Sequence, residues 1–109
     1  MTIEEIIAKG KQYTLVLLKR GPNYDNMEAD AVRQNQIQHL QYLFSLRDKG
    51  ILAINGPVTD ESEIVGVSIY NSADKQEVES FVTNDPGVIS ERFIYEVYSW
   101  FSIPGDKLG

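Results

Sequence analysis

Residues 51–70 read Ile51-Leu52-Ala53-Ile54-Asn55-Gly56-Pro57-Val58-Thr59-Asp60-Glu61-Ser62-Glu63-Ile64-Val65-Gly66-Val67-Ser68-Ile69-Tyr70. An apolar run over Ile51–Asn55 is broken at Gly56-Pro57. A polar turn follows at Thr59-Asp60-Glu61, and Ile64 to Tyr70 is rich in β-branched side chains, which suit a pleated strand. Two such runs at this separation predict a β-hairpin. Its neighbours on both sides are helical in pattern, so the hairpin is the middle of the domain.

Upstream, Asp25 or Asn26 is placed to cap a long helix that runs to about Lys49 and stops at Gly50. At about 100° per residue, Ala29, Val32, Ile37, Leu40, Leu43, Phe44 and Leu46 fall on one broad arc. Asp30, Gln34, Gln38, Gln41, Ser45 and Asp48 share the opposite side, and His39 lies near the margin of the apolar arc. Before this helix, the near-continuous apolar run Tyr13–Leu18 predicts a strand buried on both faces, ended by Lys19-Arg20-Gly21-Pro22. Earlier still, residues 2–10 read as a short helix with Thr2 and Glu5 at capping-box spacing and Gly10 as a stop.

Downstream of the hairpin, Asn71, Ser72 or Asp74 can cap a shorter helix that turns Val78, Phe81 and Val82 inward. Asn84-Asp85-Pro86-Gly87 stops it, since proline disfavours the helical conformation at Asp85. The last strand spans about Arg92 to Phe101, closed by Ile103-Pro104-Gly105. The order is a helix and then β-α-β-β-α-β. Short connections and right-handed crossovers turn that order into an α+β, ferredoxin-like antiparallel sheet with two helices on one face. Residues 12–109 form the single domain and residues 1–11 a helical extension.

The final strand is apolar on both sides: Phe93, Tyr95, Val97 and Phe101 point one way, Ile94, Tyr98 and Trp100 the other. A monomer leaves one row wet, and a contiguous apolar patch of that kind marks an interface. The expectation is a homodimer with sheet packed on sheet. Composition bounds the partners further. The chain has 109 residues with ten basic and sixteen acidic side chains, a net charge of −6, and no cysteine. That length allows one domain with a real core. The acidic balance argues against nucleic acid and anionic membranes, which call for a basic footprint. Missing cysteines remove disulfides and thiolate chemistry. No apolar run approaches the roughly 20 residues of a membrane helix, and no secretory signal opens the chain, so the cytoplasm is the expected location.

Chemistry has few candidates. His39 is the one histidine, and partial burial at the edge of the apolar arc would shift its titration. Because the two helices of such a fold lie side by side, Asp85 can meet it from the end of the second helix. A carboxylate accepting from one ring nitrogen fixes the tautomer and leaves the other nitrogen free as a base. The plainer role for Asp85 is to cap the Pro86-Gly87 turn. Gly56-Pro57 is first of all a turn. Tyr13, Tyr24, Tyr42, Tyr95, Tyr98 and Trp100 are core or interface residues before they are stacking surfaces for a substrate. Lys19 and Arg20 could meet an anionic ligand, but loop cations are first of all solvated. No metal-ligand spacing, phosphate-cradling glycine loop or nucleophile elbow occurs, so no cofactor is expected. No residue stands out as an oxyanion stabiliser.

The segment His39-Leu40-x-x-Leu43-x-x-Leu46-x-Asp48-Lys49-Gly50-Ile51-Leu52-x-x-x-Gly56-Pro57 resembles the signature of the YCII (YciI-like) family. Asn84-Asp85-Pro86-Gly87 before an aromatic-rich final strand resembles that family's second landmark. The likeness spans about residues 12 to 103. It implies a dimeric α+β barrel and a pocket in which His39 and Asp85 form a catalytic dyad. It also implies that Gly56 and Pro57 lie at the pocket rim. Of the aromatics, Tyr13 is the substrate-contact candidate by residue type alone. Some relatives carry an arginine three residues before the histidine; Gln36 stands there in this chain, so that cation is not carried over. One branch of the family includes a dehydrochlorinase of a chlorinated hydroxyquinol.

Three functions follow in order. The first is a cofactor-independent lyase or isomerase acting on a small cyclic or aromatic organic acid or phenol through His39 and Asp85. The second is a small-ligand-binding dimer without chemistry, suggested by so thin a catalytic inventory. The third is haem-linked oxidation with His39 as an axial ligand, from which the family resemblance points away.

Overall fold

A computed structural model describes all 109 residues. The elements in chain order are helix α1 (Ile3–Ala8), strand β1 (Lys11–Arg20), helix α2 (Ala29–Asp48), strands β2 (Leu52–Pro57) and β3 (Ile64–Tyr70), helices α3 (Lys75–Val82) and α4 (Pro86–Ile89), and strand β4 (Phe93–Ser102). The four strands form one sheet in the order β2-β3-β1-β4, with every neighbouring pair antiparallel. This is the ferredoxin-like arrangement, and β2 and β3 form the expected hairpin.

Alternation along β1 turns Thr14, Val16 and Leu18 toward the helices, and all three are buried. They join Leu43 and Leu46 of α2, Val78 and Val82 of α3, and Leu52, Tyr70 and Phe93 in the core. Each such apolar side chain contributes about 1.5–3 kcal/mol when fully withdrawn from water. Both long helices therefore share one face of the sheet. Tyr42 ties them together by donating its hydroxyl to the Phe81 carbonyl at 2.7 Å.

Several boundaries differ from those read in the sequence. Helix α2 begins at Ala29 behind Glu28, whose side chain makes no capping bond. Asn23 is instead engaged with the segment before β4, donating from its side chain to the Ser90 carbonyl and from its backbone to the Glu91 carbonyl. Asn26 folds back on the Pro22 carbonyl. These bonds hold the chain in turns where Asp25 or Asn26 would have started the helix. Strand β2 runs through Gly56-Pro57 instead of breaking there, with Gly56 opposite Val67 and Pro57 opposite Gly66. Strand β2 lies at the sheet edge, where a residue without an N–H costs no ladder bond on its outer side. Pro86 also starts a short helix, α4, where only a stop was expected; proline suits the first helical position.

The far face of the sheet carries Ile94, Tyr98 and Trp100 about half-exposed, as the two-sided pattern of β4 predicts. Phe101 departs from its inward row: it is also half-exposed and lies over Gly10, where an added Cβ would sit 2.0 Å from the ring. Helix α1 has its capping box in place but buries none of its residues. No helix is long and apolar enough to cross a membrane.

Candidate active site

The buried seam of α2 is Asn35, His39, Leu43 and Leu46, successive turns of one face. His39 therefore lies inside the seam and not at its margin, while Ile37 and Phe44, counted on the apolar arc, are substantially exposed. Two polar side chains on an inward stripe need partners. Asn35 donates to the Pro86 carbonyl at 3.1 Å. His39, only 6% exposed, places Nδ1 2.8 Å from both carboxylate oxygens of Asp85.

Asp85 is 2% exposed and serves two roles at once. It is the N-cap of α4, accepting from the Gly87 N–H at 2.8 Å, and it receives the imidazole. The turn cap and the pairing with His39 coexist, because the cap aims the carboxylate at α2. Gly87 is required for this. A Cβ there would lie 2.6 Å from the Phe93 ring and 3.3 Å from Asp85 Oδ1. Phe93 in turn meets the His39 ring edge-on, with centroids 5.1 Å apart.

Since Asp85 accepts at Nδ1, the neutral ring carries its proton there and keeps the Nε2 lone pair free. Nε2 has no hydrogen-bond partner in the chain and is not sealed off. It borders a cavity of about 410 Å³ between α2 and the sheet. Leu18, Leu40, Leu43 and Phe93 supply apolar wall; Gly56 and Pro57 supply rim. A Cβ on Gly56 would meet nothing within 4 Å, so a side chain at that position would have free space around it.

The sequence-derived candidates divide at this point. His39, Asp85, Gly56 and Pro57 are brought together, and of the aromatics considered, Tyr24 joins them. Arg20 lines the cavity as well, its guanidinium 5.1 Å from the Tyr24 ring centre. Tyr13 is not part of this cavity: strand alternation turns it to the opposite face of the sheet, where it lines a separate depression with Ile69 and Trp100. Tyr42 and Tyr70 stay phenolic. Burial above all, and the nearby Asp85 charge, push both upward from their ordinary pKa, which suits donors and not bases. No three His, Cys, Asp or Glu side chains gather in a way that would hold a metal ion.

Two cavity residues gave no warning in the sequence. Arg92, 5% exposed, donates from Nε to Asn35 Oδ1 at 2.8 Å and from Nη2 to Gln36 Oε1. A cation thus does stand beside Gln36, delivered from the foot of β4. Asn55 lines the cavity with a buried side-chain oxygen that has no partner. The shift in pairing between Leu52 and Ile54 reverses the alternation, so Asn55 reaches the same side of the sheet as Leu52. Nothing in the local sequence marks that irregularity.

A profile of the YCII-related domain matches residues 7–101. Among solved structures, 5-chloro-2-hydroxyhydroquinone dehydrochlorinase (TftG) from Burkholderia phenoliruptrix AC1100, in complex with 2,5-dihydroxybenzoquinone, is similar to this chain. The two share 26% sequence identity with a TM-score of 0.60, over 81% of this chain and 92% of that one. Among curated proteins, none matches.

Proposed function

The chain belongs to the family of YCII-related domains, and from that membership and the geometry of the cavity we propose a cofactor-independent lyase or isomerase of small cyclic or aromatic compounds. The observation that carries the reading is the buried His39–Asp85 pair with Nε2 left open to the cavity. Nε2 takes a proton from a hydroxyl group or from a carbon next to a carbonyl. The electron pair left behind moves into the ring as a new π-bond. In elimination a leaving group such as chloride departs with its own pair; in isomerisation the proton returns at another carbon. Asp85 holds the imidazolium that forms. Positioned acid–base catalysis of this kind contributes about 10²–10⁴-fold.

The similarity to a dehydrochlorinase of a chlorinated hydroxyquinol supports elimination and a planar ring as substrate. The working unit is a homodimer, joined through the sheet face that carries Ile94, Tyr98 and Trp100, which a lone subunit leaves half-wet. The test is a panel of chlorinated and unchlorinated hydroxyquinols and related lactones, assayed with the wild type, His39→Ala and Asp85→Asn. Turnover by the wild type that falls about 10²–10⁴-fold in both variants is expected. A turnover that survives both substitutions unchanged sinks the dyad.

A further inference from the structure

Arg92 is a cation that the chain keeps almost out of water without giving it a counter-charge. Its two protein acceptors are neutral amide oxygens, on Asn35 and Gln36, and its guanidinium lies 4.1 Å from the centre of the Phe93 ring. The contacts between a basic side chain and a carboxylate are Lys19 with Glu96 and His39 with Asp85, so no carboxylate contacts Arg92. Of the five N–H groups of a guanidinium, two are used and three remain. None of its nitrogens is both sealed and unpartnered, and the side chain borders the cavity. Burying a charge against neutral groups alone is costly. The backbone bends sharply to do it: Glu91, just before, is held at φ 61°, in the left-handed region that non-glycine residues avoid.

Asn55 lines the same cavity, but its unpartnered side-chain oxygen is sealed and is not open to a ligand. The cavity thus offers unused cationic donors at the foot of β4 and the free lone pair of His39 Nε2 beside Phe93. Asp60, at the rim, is exposed and solvated. The charge of Asp85 is committed to His39 and Gly87.

We propose that this cavity is built for a small planar organic anion, a carboxylate or an ionised phenol or enol, whose charged oxygen is received by Arg92. The assignment rests on the reading of the cavity as the active site and names its substrate class. It also supplies the stabiliser that proton removal by His39 requires: as negative charge grows on the substrate oxygen, the guanidinium is already in place to take it. Burial pushes the Arg92 pKa down, opposed by the nearby Tyr24 and Asp85 charges, and an anion in the cavity relieves that strain.

The probes are 2,5-dihydroxybenzoate and its uncharged partner 2,5-dihydroxybenzamide, with binding to the full chain followed by calorimetry. The wild type is expected to hold the acid about tenfold or more tighter than the amide, the difference made by a charge-assisted contact. The preference should vanish in Arg92→Gln and survive in part in Arg92→Lys. Should Arg92 only clamp β4 to α2, its substitution would lower the melting temperature and leave the acid–amide ratio untouched. That result, or a wild type indifferent to charge or binding neither probe, overturns the assignment; if Arg92→Gln fails to fold, the wild-type ratio and Arg92→Lys decide. Loss of the dyad mechanism would show separately, as turnover unaffected by His39→Ala with the Arg92-dependent preference intact.

Discussion

Asp85 makes the reach and the cost of one side chain plain. Its oxygens satisfy an imidazole N–H and a helix-capping N–H, both buried. Asp85→Ala removes a cap and strands two donors, so a loss of about 2–4 kcal/mol of stability is expected by urea denaturation. Asp85→Asn retains the shape and one acceptor, and should lose far less stability than activity. Gly87→Ala tests the neighbouring constraint. Its Cβ would press on the Phe93 ring, and Phe93 is what the His39 ring rests against. Overpacking of this kind costs about 1–3 kcal/mol, seen as a lowered denaturation midpoint with an unchanged slope. The sequence revealed His39 and Asp85 as candidates through residue type and family likeness. Their meeting across 46 positions depends on how α4 abuts α2, which no local pattern encodes.

At the scale of elements, periodicity was the reliable guide and its centre was not. The long helix is present, but its broad apolar arc includes Ile37 and Phe44, which are exposed, and leaves His39 at the margin, whereas Asn35, His39, Leu43 and Leu46 are the buried residues. A rule that counts only apolar residues passes over Asn35, which lies on the inward stripe beside the His39 seam. Strand β2 was truncated for a related reason: proline is a breaker inside a sheet but tolerable at its edge, and edge position is a property of topology. Helix α2 is joined to its neighbour by one phenol. Tyr42→Phe breaks the bond to the Phe81 carbonyl and should cost about 0.5–1.5 kcal/mol. Leu46→Ala, in the packed core beneath, should cost about 2–5 kcal/mol. A Tyr42→Phe loss as large as that of Leu46→Ala would mean the α2–α3 contact is held by more than the hydroxyl.

For the whole molecule, the sheet is covered on one side only. The chain measures 54 × 28 × 24 Å with a radius of gyration of 15.4 Å, more extended than the about 13 Å of a compact domain this size. Helix α1 adds exposed Ile3, Ile6 and Ile7 to the wet apolar surface already noted on β4. A stable dimer buries about 1,600 Å² in total. Sedimentation equilibrium should therefore return twice the 12.3 kDa chain mass, and Tyr98→Lys combined with Trp100→Lys should return one chain that is still folded by circular dichroism. A wild type that stays monomeric at micromolar concentration contradicts the sheet-to-sheet arrangement. The net charge of −6 was legible from composition, whereas the lone buried cation within it was not, since Arg92 reads only as the first residue of the last strand until burial is known.

The central claim concerns which nitrogen of one ring holds the proton. With a single histidine in the chain, a ¹⁵N correlation spectrum of the imidazole needs no assignment among competitors. With the ring neutral, the account predicts a protonated Nδ1 bonded to Asp85 and an unprotonated Nε2, with that pattern lost in Asp85→Asn. A neutral ring carrying its proton on Nε2 would contradict it.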